Sequence, residues 1–178
     1  KIEKLYGFDR ESHMLEQCIK NLKSFEEKVI LKLGKNESLP TIERKADIFI
    51  EGWSFGHTIV ENYEMIKITT DKLIKNINQN LSDNGVAIII ETLGTNVDQP
   101  EYTNSSLKEF YTILEEIHGF KKTIVKTDYK FTDYKEAAEI MGFFFGEKME
   151  RELIEFRKEI VPEYTGVWIT RNDKNEHN

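Results

Sequence analysis

The chain has 178 residues, 39% of them hydrophobic and 32% charged, with a formal net charge of −7. That length suits one domain with a real core, and the composition excludes a disordered chain. An acidic balance without a dense Lys/Arg cluster argues against an extended nucleic-acid surface, while leaving room for a small nucleotide or one shaped RNA site. The lone cysteine, Cys18, excludes an internal disulfide and fits a reducing, cytoplasmic setting. No run is long and apolar enough to predict a membrane span or a signal peptide.

Residues 4–8 read as a short strand ending at Asp9, and Ser12 opens a helix whose stripe is Met14, Leu15, Cys18, Ile19 and Leu22. Cys18 sits in that stripe as a small hydrophobe more readily than as a reactive thiol. Asp9, at a strand tip, is placed to accept hydrogen bonds from ribose hydroxyls, and Asp is equally an ordinary helix-start residue. A second strand covers residues 29–33, followed by the turn Gly34-Lys35-Asn36-Glu37-Ser38-Leu39-Pro40.

The stretch 46–57, Ala-Asp-Ile-Phe-Ile-Glu-Gly-Trp-Ser-Phe-Gly-His, is the centre of the reading. Ile48-Phe49-Ile50 is too short for a helix and suits a strand buried on both faces of a parallel sheet. Ligands bind beyond the carboxyl ends of such strands. Glu51, Gly52, Trp53 and His57 therefore read as the floor of a pocket, against the alternative of a plain strand-to-helix turn with Trp53 in the core and His57 as a cap.

Ile66, Thr70, Leu73, Ile74, Ile77 and Leu81 then mark one face of a helix, and Asp83-Asn84-Gly85 signals a turn into Val86-Ala87-Ile88-Ile89-Ile90, capped by Glu91. Two apolar strands separated by such a helix predict a right-handed parallel crossover. The polar segment 97–106 with Pro100 reads as a loop, and Leu107, Phe110, Tyr111, Leu114 and Ile117 as a helix stopped by Gly119. Alternation over 121–131 predicts one half-solvated strand near the sheet edge. Asp133-x-x-Glu136 caps a helix with Ala137, Ala138, Met141, Phe144 and Phe145 in its core, which Gly142 and Gly146 weaken, end, or open to a neighbouring backbone. A charged helix over 147–159 runs to Pro162, and residues 166–170 form a last strand beside 121–131 and antiparallel to it. The domain is thus 1–170, with 171–178 as a frayed tail.

In this order the parts resemble class I S-adenosylmethionine-dependent methyltransferases from their second strand to their last. Tyr6-Gly7-Phe8-Asp9 is similar to the motif whose acid holds the cofactor ribose, with Arg10 beside it. The turn carrying Lys35 and Asn36 resembles the adenine contact, although the family commonly has Asp where Lys35 stands. Ala46 to Trp53 looks like the fourth-strand motif. The resemblance implies a Rossmann-like α/β three-layer sandwich, mainly parallel with an antiparallel C-terminal hairpin strand. It implies S-adenosyl-L-methionine as cofactor, held through Asp9, Arg10, Lys35, Asn36, Glu51 and Gly52, and a small-molecule acceptor beside Trp53. Glu51 would hold the amino group of the cofactor's methionine moiety or cap a turn.

Sulfonium methyl transfer needs positioning more than acid–base help, and His57 is the candidate base where an acceptor must lose a proton. No metal-ligand spacing is present. The family's first strand and Gly-rich loop have no counterpart. Because losing that central strand would leave two edges of buried backbone unpaired, the domain is expected to be N-terminally incomplete, with a sheet that closes the gap in an unusual way as the alternative. Two rivals stand beside this reading: a non-catalytic methyltransferase-like partner subunit, and a nicotinamide-dependent oxidoreductase on a similar fold.

Overall fold

A computed structural model describes residues 2–172. Strand β1 (Leu5–Asp9) leads through α1 (Ser12–Asn21) to β2 (Val29–Leu33), which pairs with it in parallel. Strand β3 (Ala46–Gly52) is followed by α2 (Phe55–Glu61), α3 (Ile66–Asn80) and β4 (Leu81–Thr95). Helix α4 (Ser105–Glu116) and β5 (Lys121–Lys126) come next. The chain closes through β6 (Tyr129–Lys130), α5 (Tyr134–Phe145), α6 (Glu147–Glu155), β7 (Ile160–Val161) and β8 (Glu163–Arg171).

The larger sheet has the order β3-β4-β8-β5. β3 and β4 run parallel, and β8 is antiparallel to both β4 and β5, as the crossover and hairpin patterns predict. This is a Rossmann-like α/β fold with a mixed sheet. Its main core lies between one face of that sheet, carrying Ala87, Ile89 and Trp168, and helices α2, α3 and α4, which supply Phe55, Ile59, Leu73, Ile77, Phe110, Tyr111 and Leu114. Burial along β4 alternates, because every second side chain of a strand points to the same face. A smaller core joins α5, α6 and β7 through Ala137, Ala138, Met141, Leu153 and Val161.

β1 and β2 form a separate sheet, and no ladder joins β1 to β3. Among the described residues the β1–β2 pair and β3 are thus not joined by backbone pairing. Burial of β3 on both faces is the clearest correction: Ile48 and Ile50 are 58% and 64% exposed. β3 is an edge strand, and the face on which these two residues stand has no helix packed over them. The same face of β4, with Val86, Ile88 and Ile90, is only half-buried.

Other boundaries moved for local reasons. The Asp83-Asn84-Gly85 signal does not reverse the chain; it is taken up inside β4 as an irregularity between the pairs Ala46↔Leu81 and Ile48↔Val86, with Asn84 at φ 67°. Leu81 is accordingly the first residue of a strand, not the last of a helix face. The strand expected over 121–131 breaks at Thr127, whose N–H turns to the Glu163 carbonyl, and the remainder pairs with β7. α6 ends early because Arg157 adopts a left-handed conformation at φ 48°. Gly142 lets α6 approach α5, since a Cβ there would stand 2.8 Å from that of Glu150, while Gly146 at φ 87° ends α5. Phe144 and Phe145, expected in a core, are exposed. Arg171, assigned to a frayed tail, pairs with Val86; residues 173–178 of that tail lie outside the described residues. Asp133 caps α5 as its spacing predicts, accepting from the N–H groups of Lys135 and Glu136.

Candidate active site

At the end of β3 the chain must leave a strand and enter a helix within three residues. Trp53 makes the bend at φ 54°, unusual for a side chain of its size, and its N–H donates to the Ile90 carbonyl at 2.8 Å. The first turn of α2 leaves N–H donors without partners inside the helix. Two acids supply the missing acceptors. Glu51 Oε1 accepts from Ser54 N at 2.7 Å, Ser54 Oγ at 2.9 Å and Phe55 N at 3.0 Å. Glu91 Oε1 accepts from Gly56 N at 2.7 Å. Gly56 is required here, because a Cβ would stand 2.9 Å from Glu91 Oε2.

Both acids are buried, Glu51 at 5% exposure and Glu91 at 3%. No cation pairs with either among the described residues. Burial first, and then the charge of Glu51, pushes the Glu91 carboxyl up to about 8. Burial also raises Glu51, against the pull of its three donors. Glu163, at the start of β8, is a third buried acid near the end of β4: one oxygen accepts from Thr92 Oγ1 at 3.0 Å, and burial raises its pKa.

The residues singled out from sequence divide into two groups. Asn36, after β2, reaches across to the turn: its Nδ2 donates to Ser54 O at 3.2 Å and Thr58 Oγ1 at 3.0 Å, and its carbonyl accepts from Asn76 Nδ2 at 2.9 Å. Arg10 spans to Glu61 at the end of α2, at 3.3 Å. Asn36, Arg10 and the Glu51 turn thus meet at one edge, the carboxyl ends of β1, β2 and β3. Asp9 closes β1 and accepts from Glu11 N at 2.8 Å through Oδ1, leaving Oδ2 unengaged among the described residues. Lys35 is exposed and forms a single bridge with Ser38.

Gly52 opens on space, with nothing within 4 Å of a Cβ position. Trp53 is 53% exposed, which removes the core reading and leaves its indole free to line a pocket. His57 faces solvent on α2, with no hydrogen-bond partner among the described residues to orient it. Glu51 turns inward, so its carboxylate serves the turn and not the open side of the site.

Sequence reasoning treated Glu91 as a strand cap only. The missed signal was a repeated ending, Phe-Ile-Glu in β3 and Ile-Ile-Glu in β4, on two strands already expected to be parallel neighbours. A shallow depression lined by Asn96, Val97, Asp98, Gln99, Pro100 and Glu101 lies beyond β4 at the same end of the sheet. A larger one, around Lys45, Asp71 and His118, lies toward the start of β3 and does not meet the site.

Two strands on one side of a gap, then β3-β4-β8-β5 with β8 inserted antiparallel, make this the class I methyltransferase fold. The sequence matches no family model and no curated protein. Among solved structures, the chain is similar to a candidate methyltransferase from Bacillus halodurans C-125, at 11% identity and a TM-score of 0.63, over 96% of this chain and 84% of that one. It is similar to the YcgJ protein of Bacillus subtilis, at 12% identity and a TM-score of 0.60, over 97% and 84%. A third match is a candidate sarcosine dimethylglycine methyltransferase from Galdieria sulphuraria, at 12% identity and a TM-score of 0.56, over 96% and 70%. No helix among the described residues is long and apolar enough to cross a membrane.

Proposed function

We propose that this chain is an S-adenosylmethionine-dependent methyltransferase acting on a small-molecule acceptor. The observation that carries the reading is Asp9: a carboxylate at the tip of β1, on the same edge as the β3 turn, with one oxygen committed to the backbone and the other unengaged. Such an acid accepts hydrogen bonds from vicinal ribose hydroxyls. The residues present fit the nucleoside half of the cofactor in this way, with Arg10 and the backbone of the Lys35–Asn36 turn nearby. They fit the methionine half less well, because Glu51 is spent on Ser54 and Phe55.

When bound, the cofactor supplies a methyl group on a cationic sulfur whose departure leaves a neutral thioether. The chain's own contribution is to position and to exclude water. The exposed indole of Trp53 and the open space at Gly52 offer an acceptor a flat apolar wall and close approach to the backbone. His57 is the group available to take a proton from the acceptor.

Isothermal titration with S-adenosylmethionine tests this. Binding by the wild type is expected, and Asp9→Ala should weaken it by roughly 1.5–3 kcal/mol, or about 10- to 150-fold. Unchanged affinity in the variant removes Asp9 from the site. No binding by the wild type, or binding of a nicotinamide dinucleotide instead, overturns the reading.

A further inference from the structure

We propose that Glu51 and Glu91 share a single proton and act as the positioning pair that holds the turn from Gly52 to His57 in place. The inference rests on the geometry of the turn and stands whether or not the chain transfers methyl groups.

The hydrogen-bond inventory leads to it. Glu51 Oε1 is saturated by three donors, whereas Glu51 Oε2 is buried and has no hydrogen-bond donor among the described residues. An orphaned buried carboxylate oxygen is costly. The Glu91 carboxyl is a side-chain hydrogen-bonding neighbour of Glu51, and the two acids hold the successive N–H groups of Phe55 and Gly56. Two carboxylates cannot donate to one another unless one of them is protonated. Two adjacent buried carboxylates with no counter-charge cannot both be ionised. A proton on Glu91, donated to Glu51, satisfies both conditions and leaves Glu91 Oε1 free to accept from Gly56 N.

The other titratable groups facing the pair are Tyr111, on α4, and, behind it, Tyr102. The Tyr111 hydroxyl donates to the Thr92 carbonyl at 3.1 Å and so is not the missing donor. Tyr111 is itself pushed far up by burial and by both acids, and stays neutral throughout the range in which the pair titrates.

The pair grips successive residues: Glu51 takes Ser54 and Phe55, and Glu91 takes Gly56. With Trp53 N–H on Ile90 O, this holds the whole bend that presents Trp53 and His57. Loss of the shared proton places two negative charges side by side, and Glu91 must withdraw from Gly56 or draw in water. The bend is therefore firm while the pair keeps its proton and loosens as it ionises.

The sign follows from the direction of the shift. Glu91 is raised from 4.5 to about 8, so the native chain binds more protons than the unfolded chain across that interval. Stability from this source is complete below the lower value, falls as pH rises, and is gone above the upper one. Glu163, also raised, adds a slope of the same sign, so the test is a comparison between variants.

Glu91→Gln keeps an acceptor for Gly56 N and gives Glu51 a permanent N–H donor. Urea unfolding from pH 5 to 9 should show the wild-type midpoint falling with pH. The variant should lose most of that fall and exceed the wild type at pH 9. Infrared difference spectra should show a protonated-carboxyl band in the wild type at pH 7 that bleaches toward pH 9 and is clearly weaker in the variant, where the Glu91 contribution is lost. Glu51→Gln, which removes the like charge but leaves Glu91, should move that bleaching down by about one pH unit or more. Trp53 emission should follow the same titration in the wild type only. An unaltered pH slope in Glu91→Gln, no protonated carboxyl at pH 7, or an unmoved titration in Glu51→Gln each overturns the pairing. S-adenosylmethionine titrated into the same variants separates this outcome from failure of the cofactor reading.

Discussion

Asn36 shows how one side chain can substitute for a missing ladder. No strand-to-strand bonds join the β1–β2 sheet to β3, yet the Asn36 amide holds Ser54 and Thr58 while its carbonyl is held by Asn76. Its donors are thereby committed to protein groups, which shifts any adenine contact in this turn onto the backbone or Lys35. Asn36→Ala removes one half-buried donor group shared among Ser54 O, Ser54 Oγ and Thr58 Oγ1. The expected loss is about 1–2 kcal/mol, the worth of a hydrogen bond whose partner is left without a donor. Urea unfolding reads this directly, and a change below the measurement error would mean that water replaces the amide at no cost. His57 contrasts with Asn36, because nothing orients it. A positioned base is worth about a hundredfold or more in rate, and an imidazole free in solvent has first to be ordered by the substrate.

Among the elements, β3 and β4 carry similar apolar runs yet stand in different environments. Ile89 is fully buried against α3 and α4, whereas Ile50, on an edge strand, points to an uncovered face. Ile89→Ala is therefore expected to cost about 2–5 kcal/mol. Ile50→Lys should change stability by no more than about 0.5 kcal/mol. If Ile50→Lys costs as much as a core truncation, the face over β3 is covered in solution. The site depends on this strand, because β3 delivers Glu51 and the Trp53 bend. It does so from a sheet edge, so the bend relies on its side-chain clamps more than on a sheet continuing on both sides.

At the scale of the whole molecule, packing is uneven. β1, α1 and β2 contribute no residue to either core cluster, and α1 buries none of its side chains. Among the described residues, the polar ties from this unit to the rest include Asn36 and the exposed ion pairs Arg10–Glu61 and Arg44–Glu3, and exposed pairs contribute little. Local opening follows buried contact. Amide hydrogens of α1, β1 and β2 should therefore exchange well before those of β4, β8, α3 and α4, as hydrogen-exchange mass spectrometry can read segment by segment. Equal protection across the chain would show the two sheets unfolding as one unit. Cofactor binding through Asp9 would slow exchange in β1 more than in β5, which lies at the far edge.

The sequence alone determined what depends on neighbours a few residues apart. Short apolar runs ending at Asp9, Glu51 and Glu91, helical stripes with stops at Gly119 and Gly146, and the Asp133 cap all follow from backbone periodicity and local hydrogen bonding, and they placed the strands, the parallel crossover and the antiparallel close. They also located the strand-to-helix turn after β3. Tertiary structure decided what depends on register and on missing neighbours. Whether Ile48 and Ile50 are covered depends on which strand lies beside β3, and a pattern of apolar residues reads the same in either case. Glu91 meets Gly56, 35 residues away, because a register shift in β4, five residues advancing against two in β3, sets Glu51 opposite Ile89 and carries Glu91 two residues beyond, level with the first turn of α2. Periodicity has no term for that offset, and for the same reason it has none for the proton that two buried acids must share once the fold brings them together.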